Sequence, residues 1–117
     1  MAVTGIGGFF FRAKDPKALG AWYAEHLGVG EGAYGMWDTQ AGASVFSPLP
    51  ANTDYFAAER QWMLNLRVTG LDELCAALRS AGIDVTPWPD MDGVGRFARI
   101  HDPEGNPIEL WEPVDPA

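Results

Sequence analysis

Residues 95–113 read Gly95-Arg-Phe-Ala-Arg-Ile-His-Asp102-Pro-Glu-Gly-Asn106-Pro-Ile-Glu109-Leu-Trp-Glu-Pro113, and they predict two short strands joined by a tight polar turn. The turn is expected at Asp102-Pro-Glu-Gly-Asn106, because proline presets φ and glycine tolerates a positive φ. On both sides of it apolar and polar residues alternate, as in a hairpin with one face on a core. Glu109 lies between Ile108 and Leu110, so its carboxylate is expected to point away from the core that those two fill.

The composition of the whole chain limits the kinds of protein it can be. A length of 117 residues, with 47% hydrophobic and 21% charged, predicts one globular domain over residues 1–117. A net charge of −8 without any basic run argues against nucleic acid and against an anionic membrane as partners. The single cysteine excludes an intrachain disulfide. No signal-peptide pattern and no apolar run of roughly 20 residues is present, so a cytoplasmic location is expected.

The first half of the chain predicts a strand, a helix and a small meander. Ile6 to Ala13 is rich in aromatic residues and is typical of a buried strand. A helix is expected to begin at Asp15-Pro16, because aspartate caps free amides and proline suits the first helical position, and to end at Gly28. Glycines and short apolar runs between Val29 and Pro48 favour antiparallel strands. Pro48 to Arg60 shows no periodicity and is interpreted as a connector.

The second half repeats this order of elements. It predicts a strand at Met63 to Val68, a helix at Leu71 to Ala81, a short strand at Val85 to Pro89, and then the final hairpin. The shared order indicates an internal duplication, with module one at about residues 5–50 and module two at about residues 61–113.

Four segments of the chain resemble the vicinal oxygen chelate superfamily: Phe11-Arg-Ala-Lys-Asp15, Trp22-Tyr23, Leu27-Gly28 and Asp102-Pro-Glu-Gly-Asn-Pro-Ile-Glu109-Leu. That superfamily includes glyoxalase I, bleomycin-resistance proteins, fosfomycin-resistance enzymes and extradiol dioxygenases. The resemblance implies an α+β fold in which two tandem βαβββ modules form a cupped, barrel-like mixed sheet with the helices outside. It also implies a homodimer, with sites inside one chain or between two.

The same resemblance implies where a metal would bind. The glutamate of the last motif carries over to Glu109, whereas the two positions that usually hold histidines are Gly8 and Met63. One carboxylate without a second protein ligand would bind a divalent metal weakly. We therefore predict no resident cofactor, and a divalent metal held by Glu109 with His101 is the alternative.

The side chains on the face of Glu109 are the candidate ligand contacts, because residues two apart in a strand share a face. We expect Arg99 to pair with Glu109, since an unpaired buried charge is costly. Trp37 and Trp111 offer flat apolar surfaces for a planar ligand, whereas Arg12 and Arg67 lie near strand ends and are solvated in the alternative interpretation. The complete predicted set is Phe10, Arg12, Trp37, Met63, Asn65, Arg67, Phe97, Arg99 and Trp111.

Three functions are consistent with this pattern. The favoured one is a small-molecule-binding protein of the glyoxalase and bleomycin-resistance type, without a complete metal site. The second is an enzyme of the same superfamily, either a glyoxalase-like lyase or dioxygenase with an unusual ligand set, or a metal-free catalyst with Glu109 as the catalytic general base. The third is a dimeric structural or regulatory domain whose cup is filled by its own side chains.

Overall fold

Two α-helices and four strands form in the part of the chain that the computed structural model describes, residues 2–114. In chain order these elements are α1 (Pro16–Leu27), β1 (Leu64–Arg67), α2 (Leu71–Ser80), β2 (Thr86–Met91), β3 (Gly95–His101) and β4 (Pro107–Pro113), with a single 3-10 turn at Ala33–Gly35. The fold is therefore mixed α+β, as predicted. No helix of these residues is long and apolar enough to cross a bilayer.

The four strands form one mixed sheet in the order β1-β4-β3-β2. β1 runs parallel to β4, whereas β4, β3 and β2 are antiparallel to one another. From Leu64 to Pro113 the chain follows the order strand, helix, strand, strand, strand, which is the order expected for the second module. The sheet is open over residues 2–114, so the predicted barrel-like closure is not present in this single chain.

The two helices begin in different ways. The Asp15 carboxylate caps α1 by accepting the Ala18 N–H at 3.1 Å, as the sequence predicts. α2 has no cap from its own segment; instead, the Glu112 carboxylate of β4 accepts the N–H groups of Gly70 and Leu71 at 2.8 and 3.2 Å. A carboxylate at this end also complements the helix dipole. The sheet thus fixes the start of α2 through one side chain.

One face of the sheet carries the core. Ile100, Ile108 and Leu110 are almost completely buried there, and both helices contribute to the same apolar cluster. Burial of side chains of this size contributes about 1.5–3 kcal/mol each. The cluster of buried residues consists of Leu19, Tyr23, Leu66, Leu71, Cys75, Leu78, Ala98, Ile100, Ile108 and Leu110.

The turn between β3 and β4 is organised around the buried Asp102 carboxylate. It accepts the Tyr23 hydroxyl at 2.7 Å, the Glu104 N–H at 2.9 Å, and the backbone and side-chain N–H groups of Asn106 at 3.0 and 2.8 Å. Gly105 adopts a φ of 83°, which a side chain would disfavour. The predicted turn is confirmed, and Asp102 also ties it to α1.

The strands predicted for the first half do not form. Ile6 to Ala13 and the stretch from Val29 to Pro48 contain no strand in the structure. Phe10 is 94% exposed, so the predicted burial of the first strand is wrong at this residue, and Phe46 of the predicted meander is 87% exposed. The physical reason is that strand preference reflects packing and pairing rather than an intrinsic backbone bias, and these segments have no ladder partner within the described chain.

Candidate functional site

Glu109 lies in the middle of the sheet on the face opposite the helices. Asn65 of β1 and Arg99 of β3 are its partners in register on either side, so three polar side chains form one row across three strands. Glu109 is 5% exposed and Arg99 is 7% exposed. Asn65 Nδ2 donates to Glu109 Oε1 at 2.7 Å, and Arg99 Nη2 lies 3.8 Å from Glu109 Oε2. The predicted Arg99–Glu109 pair is therefore present.

Tyr55 covers this row from the connector between the two halves. Its hydroxyl donates to Glu109 Oε2, and its backbone carbonyl accepts from Arg99 Nη1 at 2.6 Å. Burial raises the pKa of Tyr55 to about 12, and the hydrogen bond and negative charge of Glu109 add to the effect. The phenol stays protonated through the physiological range and keeps donating to the carboxylate.

The Arg99 guanidinium is packed between aromatic rings but is incompletely hydrogen-bonded. Its Cζ lies 3.9 Å from the ring centroid of Trp88 and 4.9 Å from that of Tyr55, within cation–π range. Nη1 has its bond to the Tyr55 carbonyl, whereas Nε and Nη2 are buried without any hydrogen-bond partner among the described residues. An unsatisfied buried donor costs about 1–3 kcal/mol. The site therefore holds cationic donors that lack an acceptor.

A second row of predicted residues lies beside the first on the same face. Arg67, Trp111, Phe97 and Trp88 are aligned across the four strands, and the rings of Phe97 and Trp111 stack with centroids 6.5 Å apart. Arg67 is not simply solvated, because it donates to the carbonyls of residues 40 and 43 at 2.8 and 3.2 Å. Met63 precedes β1 and is half-buried. Trp111, Phe97 and Trp88 of this row form an aromatic surface next to Glu109.

Four predicted residues form no hydrogen bond or ion pair with Glu109. Phe10 and Trp37 are exposed on the first half of the chain, and His101 is exposed at the turn end of β3. Arg12 lines two shallow depressions of about 340 and 420 Å³ with Arg60 and Asn106, and Glu109 contributes to neither. Phe10, Arg12 and Trp37 were predicted as site residues because a strand and a meander were expected to carry them, and neither element forms.

The donors around Glu109 do not suit a metal ion. Both of its oxygens are faced by hydrogen-bond donors, with the amide nitrogen of Asn65 at Oε1 and the Tyr55 hydroxyl and Arg99 at Oε2. A divalent cation needs lone pairs at those positions rather than N–H groups or a guanidinium. Residues 2–114 also contain no group of three or more His, Cys, Asp or Glu side chains that could hold a metal.

Two residues of this site were missed from the sequence. Trp88 falls in the strand predicted at Val85 to Pro89 but was not among the predicted site residues, and its pairing with Phe97 places it on the site face. Tyr55 comes from a connector without periodicity, so no pattern in the sequence marks it. Only the path of the connector across the sheet brings the phenol to Glu109.

Three solved structures are similar to this chain, and the fold of the first agrees with it. TnmS3, an antibiotic binding protein from Streptomyces sp. CB03234, is 25% identical over 97% of this chain and 99% of that chain, with a TM-score of 0.63. A glyoxalase/bleomycin resistance protein from the same strain is 36% identical over 44% and 46% of the two chains, with a TM-score of 0.39. A glyoxalase family protein from Enterococcus faecalis is 31% identical over 55% and 52%, with a TM-score of 0.43.

A search of curated proteins finds no match. The family model described as a glyoxalase-like domain, in contrast, matches residues 8–111. The match covers the final hairpin, the Glu109 row and both helices, and it agrees with the superfamily indicated by the sequence motifs. The chain belongs to the glyoxalase-like domain family.

Proposed function

We propose that this protein binds a small organic molecule on the Glu109 face of its sheet and does so without a resident metal. The observation that carries the proposal is Arg99, which is buried beside Glu109 and holds two nitrogens without an acceptor. A buried cation with free donors next to aromatic rings is typical of a ligand site rather than of a core. The likeness to TnmS3, an antibiotic binding protein, supports the same class of function.

The contacts of Glu109 favour binding over catalysis. A general base needs an oxygen that can reach the substrate proton. Tyr55 and Asn65 already donate to the two oxygens of Glu109, and Arg99 lies beside one of them. We therefore propose that Glu109 accepts a hydrogen bond from a ligand in place of one that it accepts now. We also propose that the protein is cytoplasmic.

The exposed apolar residues of the first half favour a homodimer. Ile6, Phe10, Val45 and Phe46 are each at least 69% exposed, and their segments have strand-like sequences without a partner strand. Contiguous exposed apolar surface marks an interface in soluble proteins. We propose that a second copy pairs with these segments, which would complete the first βαβββ module and enclose the ligand between two chains.

Sedimentation velocity should give twice the mass of one chain, and the double variant Phe10→Asp with Phe46→Asp should give the mass of the monomer. A monomeric wild type would contradict this proposal.

Ligand binding is tested with a thermal-shift screen of aromatic acids, thiol conjugates and glycopeptide antibiotics, followed by calorimetry. We expect at least one compound to bind with a defined stoichiometry. Glu109→Gln should weaken it about tenfold or more, because a hydrogen bond to a charged acceptor contributes about 1.5–3 kcal/mol. Glu25→Gln is the matched control, since the Glu25 side chain is 75% exposed.

Metal analysis of protein purified without chelator completes this test. Nickel, zinc, manganese or iron at one ion per chain would overturn the metal-free part of the proposal. Failure of every compound in the screen to bind, or equal affinity in wild type and Glu109→Gln, would overturn the proposed binding at this face.

A further inference from the structure

The segment around Tyr55 occupies the Glu109 face in the way that a ligand would. Its phenol donates to the carboxylate, its carbonyl accepts from Arg99 at 2.6 Å, and its ring packs edge-on to Trp88 with centroids 6.0 Å apart. One residue thus supplies a donor, an acceptor and an aromatic ring to three different side chains of the sheet. Glu109 lines neither of the two shallow depressions beside Arg12, and the Tyr55 phenol lies directly on its carboxylate.

Two features indicate that this occupant is replaceable. Apart from the bonds of Tyr55 to Glu109 and Arg99, the hydrogen bonds of residues 50–57 are local. The Thr53 N–H donates to the Pro50 carbonyl, and the Tyr55 N–H donates to the Thr53 hydroxyl. Tyr55 also accepts a hydrogen bond from only one guanidinium nitrogen, so Nε and Nη2 of Arg99 remain without a hydrogen-bond partner among the described residues. The buried Asp102 carboxylate, in contrast, accepts four hydrogen bonds. The Tyr55 segment is therefore an incomplete partner for the site.

We propose that Tyr55 is an internal stand-in for the ligand, and that the ligand is a phenol bearing an acyl oxygen on a short side chain, which displaces Tyr55 from Glu109, Arg99 and Trp88. This inference rests on the proposed function and names its ligand class. The phenol hydroxyl takes the place of the Tyr55 hydroxyl at Glu109 Oε2. The acyl oxygen takes the place of the Tyr55 carbonyl at Arg99, and a second oxygen in the ligand would reach the nitrogens that Tyr55 leaves unpaired.

Competition between Tyr55 and the ligand has a measurable consequence. A site that is closed by its own side chain for most of the time binds with an apparent affinity reduced by the open fraction. If the open fraction is about one tenth, removal of the Tyr55 side chain strengthens binding about tenfold. Every ligand of the open site gains by this factor, whereas the preference for the phenol over a matched compound without the hydroxyl depends on the hydrogen bond to Glu109.

The test uses N-acetyl-L-tyrosinamide and, as the matched compound without the hydroxyl, N-acetyl-L-phenylalaninamide. Calorimetry on full-length Tyr55→Gly should show the tyrosine compound binding about tenfold or more tighter than to wild type, and about tenfold or more tighter than the phenylalanine compound. Tyr34→Gly is the control variant, because Tyr34 is fully exposed and should leave both affinities unchanged. If Tyr55→Gly does not fold by circular dichroism, Tyr55→Phe, which removes only the hydroxyl, should show the same preference with a smaller gain.

Each result separates this inference from the proposed function. Equal affinity of the two compounds for folded Tyr55→Gly would overturn the inference, and so would equal affinity of the tyrosine compound for wild type and variant. A compound from the screen that depends on Glu109 but binds wild type and Tyr55→Gly alike would overturn the inference and leave the proposed function standing. If the tyrosine compound binds Tyr55→Gly and no compound binds wild type, the result would support the phenol site under Tyr55 and overturn the proposed function.

Discussion

Asp102→Ala is expected to lower the free energy of unfolding by about 3–5 kcal/mol, because it leaves several buried donors without an acceptor. The Asp102 carboxylate accepts four hydrogen bonds, two from Asn106, one from the Glu104 N–H and one from the Tyr23 hydroxyl of α1. An unsatisfied buried donor costs about 1–3 kcal/mol, and bonds to a charged acceptor are at the stronger end. The turn and the docking of α1 are both lost by this one substitution.

Urea unfolding at a fixed protein concentration measures this change, since the stability of the proposed homodimer would depend on concentration. Tyr23→Phe removes only one of the four bonds and should cost about 1–2 kcal/mol. Asp92→Ala is the control, because Asp92 is exposed at the tip between β2 and β3 and should change stability by less than about 0.5 kcal/mol. An Asp102→Ala protein as stable as Asp92→Ala would contradict the role of the carboxylate.

Arg99→Met is expected to destabilise the protein by about 3–5 kcal/mol, because it leaves the buried Glu109 carboxylate without its cation. Both side chains are almost fully buried, at 8% and 6% exposure, and Nη2 lies 3.8 Å from Oε2. The substitution also removes the donor to the Tyr55 carbonyl and the cation over the Trp88 ring. The loss therefore combines an uncompensated charge with the release of the Tyr55 segment.

A double-mutant cycle separates these contributions. Glu109→Gln removes the charge and keeps one acceptor oxygen for the Asn65 amide, while its new N–H group can donate to the Tyr55 hydroxyl oxygen. Arg99→Met with Glu109→Gln should therefore recover part of the stability lost in Arg99→Met alone. A coupling energy of about 1–3 kcal/mol is expected for side chains in direct contact. Arg79→Met, on the exposed side of α2, is the control. A coupling energy near zero would show that the two charges act independently of each other.

The final hairpin shows how far local chemistry reaches. Proline, glycine and the alternation around residues 102–110 predicted the turn and both strands, and β3 and β4 form with Glu109 facing away from the core. Register then follows from the turn, because a slip by one residue would turn every side chain to the wrong face. The pairing of Arg99 with Glu109 follows from this register, whereas Asn65 joins them through the parallel pairing of β1 with β4.

The two parts of the chain that departed from prediction both depend on partners distant in sequence. The aromatic segment around Phe10 has the composition of a strand but no neighbour to pair with in a single chain. Tyr55 lies in a stretch without periodicity and reaches Glu109 only because the connector crosses the sheet. No local sequence pattern predicts the unpaired state of the Phe10 segment or the contact of Tyr55 with Glu109.

The sequence by itself determined the helices, the β3–β4 hairpin, the family and the side of the sheet on which Glu109 lies. These follow from caps, turns and alternation, which act over a few residues. The sequence also predicted Arg99 as the partner of Glu109, whereas the tertiary structure alone decided how the full set of surrounding side chains is assembled. Asn65, Arg99, Trp88 and Tyr55 come from four separate segments, and their contacts with one another or with Glu109 depend on strand order and on the path of one connector. Strand order and connector path are settled by the packing of the whole chain, because each pairing must bury apolar surface and satisfy the backbone at the same time.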